Sequence, residues 1–285
     1  MPASFCGATR YSERAVVVVR PLLPTYQAAA SSRGTSTASS NKADGSTLAA
    51  SARPPVDAAN PRAFNDLDEN GAIVKDSLGR EIGGNPNGHI IRFKEGAQTA
   101  STATSFKWDI FLFGAEEATN PATNLSGLTA ANDFSSPDGL WFSQATGICW
   151  IQTDDGNFTD KSNCMLLAAI PGAVGDGGKI TVNNVLNAAT GTQETFIGAT
   201  LGEAQLRRFL VGPKGCEVTG ITETPDGKTL FVNIQHPGEG TGALGTAAEF
   251  NPQSRWPAIE GYGPGIRPRS ATIAITREDG GVIGL

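Results

Sequence analysis

The sequence predicts an all-β fold. Gly and Pro number 35 and 17 of 285 residues while charged residues are only 18%, a mix that favours turns and short strands over long helices. From residue 87 onward, short runs rich in β-branched and aromatic residues alternate with turn residues, the signature of strands. Two of those runs repeat one pattern at a distance, as structural repeats do.

The first 59 residues lack that pattern. "QAAASSRGTSTASSNKADGSTLAASARPPVDAANP" is rich in Ala, Ser and Thr and nearly devoid of large apolar residues. Such a segment cannot bury enough surface to offset its chain entropy, so 1–59 is expected to be a disordered leader. Within it only "AVVVV" and "PLLPTY" are apolar enough for a strand, and "AVVVV" is too short for a secretory apolar core. Residues 66–82, "DLDENGAIVKDSLGREI", suit a small hairpin. They also open like a calcium loop, with Asp66, Asp68, Asn70 and Gly71 in place. Ser77 stands where a bidentate glutamate is needed, which argues against that reading.

"GHIIRFKE" and "FKWDIFLFGA" read as the next two strands. Then comes the first repeat, "SPDGLWFSQATGICWIQTDD" (136–155), and later the second, "CEVTGITETPDGKTLFVNIQH" (216–236). Each is a strand, a turn containing Gly, and a second apolar strand ending on polar residues. "NCMLLAAI", "GKITVNN" and "AQLRRFLVG" between them are further strands, and "NAATGTQETFIGATLGEA" is an insertion without clear pattern. "SATIAITRED" supplies the last strand. About four short strands per unit is the pattern of a β-propeller blade. The span from residue 60 to 285 holds about three blades, a partial β-propeller, since closure takes four to eight.

In a propeller, the start of each blade's inner strand lies near the central channel, where carboxylates of different blades can share a hard cation. Asp138 and Glu217 occupy such starts. Ser-Pro-Asp-Gly is equally an ordinary type I turn, so Asp138 has two readings. Glu217 lies between apolar neighbours, and a carboxylate there requires pairing, hydrogen bonding or a metal. Lys214 is placed to neutralise a phosphate. "TPDGKT" is a hairpin turn with Asp226-Gly227 at its tip. His89 is read as structural, His236 as structural or as a metal ligand, acid or hydrogen-bonder, Asp154 and Asp155 as a solvated turn in preference to oxygen ligands, and Trp108, Trp141 and Trp150 as core. The four cysteines form no C-x-x-C pair and read as buried free thiols.

"NGHIIRF", "SPDGLWF", "WIQTD", "RRFLVGPKGCEVTGI", "TPDGKTLFVNIQHPGE" and "RPRSATIAITREDGGVIG" together resemble the C-terminal part of the PhoX-type alkaline phosphatases. The resemblance runs from about residue 60 to the end. It implies a six-bladed propeller, phosphate-monoester hydrolysis, a mixed iron and calcium cluster, and twin-arginine export to the periplasm or beyond. It implies a metal-ligand role for Glu217 and a phosphate contact at Lys214. Family motifs resembling "GTWLTCEE", "RFKHE" and "DRPEW", which hold most of the ligands, have no counterpart here. Cys6 lies outside the required context. The chain therefore reads as an N-terminally truncated phosphatase, inactive alone, with residues 1–35 forming nothing native-like. The alternative is a non-catalytic propeller-like binding or scaffold module.

The net charge of −6, with no basic tract, gives no support for nucleic-acid binding. No apolar run reaches the ~18 residues of a membrane span. A phosphomonoester substrate is expected, and open blade edges invite a complementary chain or self-association.

Overall fold

In the computed structural model the described residues are 16–19, 58–59, 61, 64–65, 72, 83–84, 87–95, 104–117, 123–155, 161–186, 189–242, 251–257 and 267–285. All regular elements among them are strands joined in antiparallel sheets. No helix among them is long and apolar enough to cross a membrane. The calcium-loop reading of Asp66 to Ser77, Cys6 and nearly all of the leader lie outside the described residues. One piece of the leader is described: β1 (Val16–Val19), the "AVVVV" run, pairs with β4 (His89–Glu95). β2 (Phe64–Asn65) and β3 (Gly83–Gly84) pair across the ends of the expected small hairpin.

Two compact units share the chain. One comprises Glu13–Ser135 and Gly172–Thr200. Its three-stranded sheet runs β1-β4-β5, with β5 at Phe106–Phe113. Ile110 to Phe113 of β5 are all buried, because both faces of that strand end are covered. Here the insertion corrects the sequence reading. Residues of "NAATGTQETF" form β10 (Ala189–Phe196), which pairs along its whole length with β9 (Lys179–Leu186). The strand was invisible to apolar pattern because Gly191, Thr192 and Glu194 point to solvent.

A buried ion cluster ties this hairpin to the sheet. Arg92 and Asp109 stand opposite each other on β4 and β5. The guanidinium donates to both carboxylate oxygens, at 3.0 and 2.6 Å, and also to Asp176 at 2.8 Å. It lies over the Phe111 ring, 5.0 Å from the centroid. Asp176 also accepts the backbone N–H of Ala173 and of Ala199, at 2.8 and 2.7 Å. Burial opposes its ionisation, but those N–H groups and Arg92 overcome it and hold its carboxyl below the ordinary range.

The other unit includes Ser136–Pro171 and Leu201–Leu285. Its four-stranded sheet runs β6 (Pro137–Phe142), β7 (Cys149–Thr153), β8 (Met165–Ala169) and β11 (Leu206–Val211). A three-stranded sheet follows: β12 (Glu217–Glu223), β13 (Thr229–Gln235) and β14 (Ala271–Thr276). Both repeats are thus sheets of blade size whose first two strands form a hairpin. Trp150, Leu166 and Ala168 of the first sheet and Val218, Val232 and Ile234 of the second meet in one core. The "TPDGKT" turn is as expected: Gly227 has φ 68° and its N–H donates to Thr224 O at 2.8 Å.

Removing the Arg92 charge leaves Asp109 buried and uncompensated. Arg92→Met is expected to cost about 3–5 kcal/mol of stability, read by urea unfolding of the variant against the parent chain.

Candidate functional site

The site is built at the ends of the two hairpins of the second unit. β12 opens at Glu217, which pairs with Gln235 at the close of β13. The ladder is then extended by two turn contacts: Gly238 N–H donates to Lys214 O at 2.8 Å, and Glu239 N–H to Gly215 O at 3.1 Å. Gly215, at φ 66°, permits the close approach: a Cβ there would come within 3.1 Å of Glu239 N. These bonds clamp His236 beside Glu217. His236 Nε2 lies 3.3 Å from Glu217 Oε2, and Nδ1 lies 3.6 Å from Glu239 Oε2. Its backbone N–H donates to Ser270 Oγ at 2.9 Å.

Two non-glycine residues here have left-handed backbones, His236 at φ 34° and Ser136 at φ 49°. One ends β13 and the other precedes β6. Such conformations cost of order 1–3 kcal/mol and cluster where surrounding structure dictates a side chain's aim. Ser136 Oγ donates to Asp155 Oδ1 at 3.1 Å, across the mouth of the β6–β7 hairpin.

Electrostatics join the pieces. Glu217 is 13% exposed, and burial raises its carboxyl above the ordinary range, with the Asp154 and Asp138 charges adding to the shift and His236 partly offsetting it. Burial likewise raises Asp154, reinforced by Asp138, Glu239 and Asp155 and eased by His236. Asp138 and Asp154, both exposed, thus lie within electrostatic reach of Glu217 and oppose its ionisation. For Asp154 and His236 the sequence left a ligand reading open beside the turn or structural one. Their signal was present: "WIQTD" and "VNIQH" end the second strands of the two repeats, so Asp154 and His236 hold the same place in each.

Lys214 is exposed, and it is not among the principal charges acting on Glu217. His89 belongs to the other unit, where it is buried with Nε2 2.9 Å from Ala59 O. Cys149, Cys164 and Cys216 are free and buried, as expected. Burial pushes the Cys216 thiol up to about 12 and that of Cys164 to about 11, so neither is a nucleophile.

The donor set suits a hard cation, since carboxylate oxygens are what calcium takes and a cation would relieve their repulsion. No three His, Cys, Asp or Glu side chains among the described residues converge closely enough to hold an ion by themselves.

The raised carboxyl of Glu217 has a pH consequence. The folded chain holds that proton to higher pH than the unfolded chain does. Stability from this group is present below the ordinary glutamate value and lost as pH rises through the raised one. In metal-free protein, Glu217→Gln is therefore expected to raise the melting temperature at neutral pH and to leave it unchanged below the carboxylate range. Paired melts across that range read the difference.

The family model for alkaline phosphatase PhoX matches residues 35–238, beginning inside the segment read as leader. Among solved structures, Pseudomonas fluorescens PhoX in complex with vanadate, a transition state analogue, is similar at 33% identity and a TM-score of 0.50. The similarity covers 78% of this chain and 32% of that one, so the chain spans about a third of its length. No curated protein matches. With the family model covering more than half of its residues, and a solved relative at this identity, the chain belongs to the PhoX alkaline phosphatase family.

Proposed function

We propose that Glu217, Asp138 and Asp154 form one wall of a metal-dependent phosphomonoesterase site. The observation that carries this reading is a largely buried Glu217 beside His236, its carboxyl raised by burial with the Asp154 and Asp138 charges adding, within a chain of the PhoX family. Uncompensated negative charge of that kind is stable when a cation sits among the oxygens. Calcium, with iron alongside, is the metal that the family resemblance implies for this wall. When bound, such ions act as Lewis acids that draw charge from phosphoryl oxygens.

The residues of this chain divide the remaining work. Glu217 and Asp138 donate oxygens to the cation from the starts of β12 and β6. Asp154, after the end of β7, adds negative charge that attracts the cation without itself ligating it. His236, held by its strained backbone and by Ser270, fixes the orientation of Glu217. Lys214, exposed at the rim, is positioned to attract the substrate dianion.

The described part of the shell has fewer than three converging ligands, so turnover requires further donors. Half a site cannot hold a phosphoryl group in line for displacement. The 285-residue chain alone is accordingly expected to bind calcium weakly and to hydrolyse phosphomonoesters poorly, behaving in isolation as a binding module.

The test supplies iron and calcium to the purified chain and assays a generic phosphomonoester at alkaline pH. Calcium binding is followed in parallel by calorimetry. Glu217→Ala is expected to abolish calcium binding, while Lys214→Ala leaves it intact. Robust turnover that Glu217→Ala abolishes would overturn the incomplete-site reading. Calcium binding that survives Glu217→Ala would overturn the assignment of the wall itself.

A further inference from the structure

Gln152 of β7 is buried, at 3% exposure, and its Nε2 has no acceptor among the described residues. A buried donor left without a partner costs stability, so a native structure that keeps one has a use for it. The strand beside it is irregular at that point. Pro137 pairs with Thr153 and Leu140 with Ile151, so Asp138 and Gly139 together oppose Gln152. Two residues against one make a β-bulge, which bends the strand and re-aims a side chain. The amide lies directly against the glycine: a Cβ on Gly139 would come within 2.5 Å of Gln152 Oε1. Asp138, the other member of the bulge, is exposed, and among the described residues no group donates to its carboxylate. A donor without an acceptor thus stands opposite an acceptor without a donor. The second sheet offers a contrast. β12 also breaks register at a glycine, and a Cβ on Gly220 would come within 2.5 Å of Asn233 Nδ2. That amide is exposed, and its Oδ1 accepts from Thr272 Oγ1 at 2.7 Å. Of the two, the amide beside Asp138 is the one that is buried and unbonded.

We infer, on the reading of Glu217, Asp138 and Asp154 as a cation-binding wall, that Gln152 is a positioning residue for Asp138. When a cation enters the wall, the Asp138 carboxylate turns inward and accepts a hydrogen bond from Gln152 Nε2. Without the cation it stays in water, because its charge opposes the ionisation of Asp154 and Glu217 and would oppose it more strongly in a drier setting. The cation cancels that opposition. One carboxylate oxygen is then fixed by the amide and the other is left to the metal, the service that hydrogen-bonded outer partners give to metal ligands. The glycine beside Asp138 leaves the amide its place, and the bulge gives the carboxylate its reach.

The experiment measures calcium affinity by calorimetry, and melting temperature without metal, on the same variants of the full 285-residue chain. Gln152→Met keeps the length of the side chain and removes both amide atoms. It is expected to raise the metal-free melting temperature, since the orphaned donor is gone, and to weaken calcium binding about tenfold. Unchanged calcium affinity would overturn the inference, and a lower melting temperature beside it would assign Gln152 to packing. Gly139→Ala, which displaces the amide from the same place, is expected to weaken calcium binding to a similar degree. Where Gln152→Met fails to fold, unchanged affinity in Gly139→Ala is the overturning result. Asp138→Ala tests the route. The double variant Asp138→Ala with Gln152→Met should bind calcium as Asp138→Ala does, because the amide acts through that carboxylate. Losses that add would show that it does not. Glu217→Ala separates this role from the wall. Calcium binding that survives it brings down the wall, as does a parent chain that takes up no calcium. Binding that Glu217→Ala abolishes and Gln152→Met leaves unchanged brings down the role of Gln152 alone.

Discussion

A glutamate held at 13% exposure beside two other carboxylates is the constraint on which the rest of the second unit depends. Left alone, that arrangement opposes folding. It persists because its backbone is fixed by a regular ladder, by the Gly215 turn and by a core of Trp150, Val218 and Ile234 directly below. The chain spends conformational freedom and strain at Ser136 and His236 to aim side chains at one place. Function of this kind and stability are opposed locally, and the sheets absorb the difference.

The buried Arg92–Asp109–Asp176 cluster shows the contrasting way to bury charge. There each carboxylate oxygen of Asp109 and Asp176 accepts at least one hydrogen bond inside the unit, from Arg92, Ala173, Gly175 or Ala199. Asp176 is driven below the ordinary range where Glu217 and Asp154 are driven above it. Hydrogen bonds outweigh burial in the first case, whereas in the second burial and like charges outweigh His236.

Much of this was readable in the sequence because most strands here are apolar on at least one face. "GHIIRF", "DIFLF", "CWIQT" and "TLFVNIQ" all appear as strands, since their β-branched and aromatic residues fit a half-buried pleat. β10 escaped because its identity lies in backbone pairing to β9 rather than in apolar side chains. The Arg92–Asp109 pair escaped for a related reason: charged letters read as surface, and only the cross-strand register shows them facing each other in the interior. At the site, the repeats singled out Glu217 and Asp138, while Asp154 and His236 kept two readings, because a strand-end polar residue looks the same whether it faces water or a neighbouring hairpin.

Among the described residues, the inserted β9–β10 hairpin means that the chain passes between the two units three times, near residues 135, 171 and 200. Neither unit is a contiguous stretch of sequence. Closing the long excursion between β8 and β11 is thermodynamically cheap, since each doubling of a loop adds only about 0.6 kcal/mol. Dissection is another matter. No single cut releases either unit whole, and a cleavage within Gly172–Thr200 severs the covalent link between the third and fourth strands of the β6–β11 sheet while leaving their hydrogen bonds in place. A nicked chain would hold together until denatured, so the units of this protein are to be sought by strand pairing rather than by truncation.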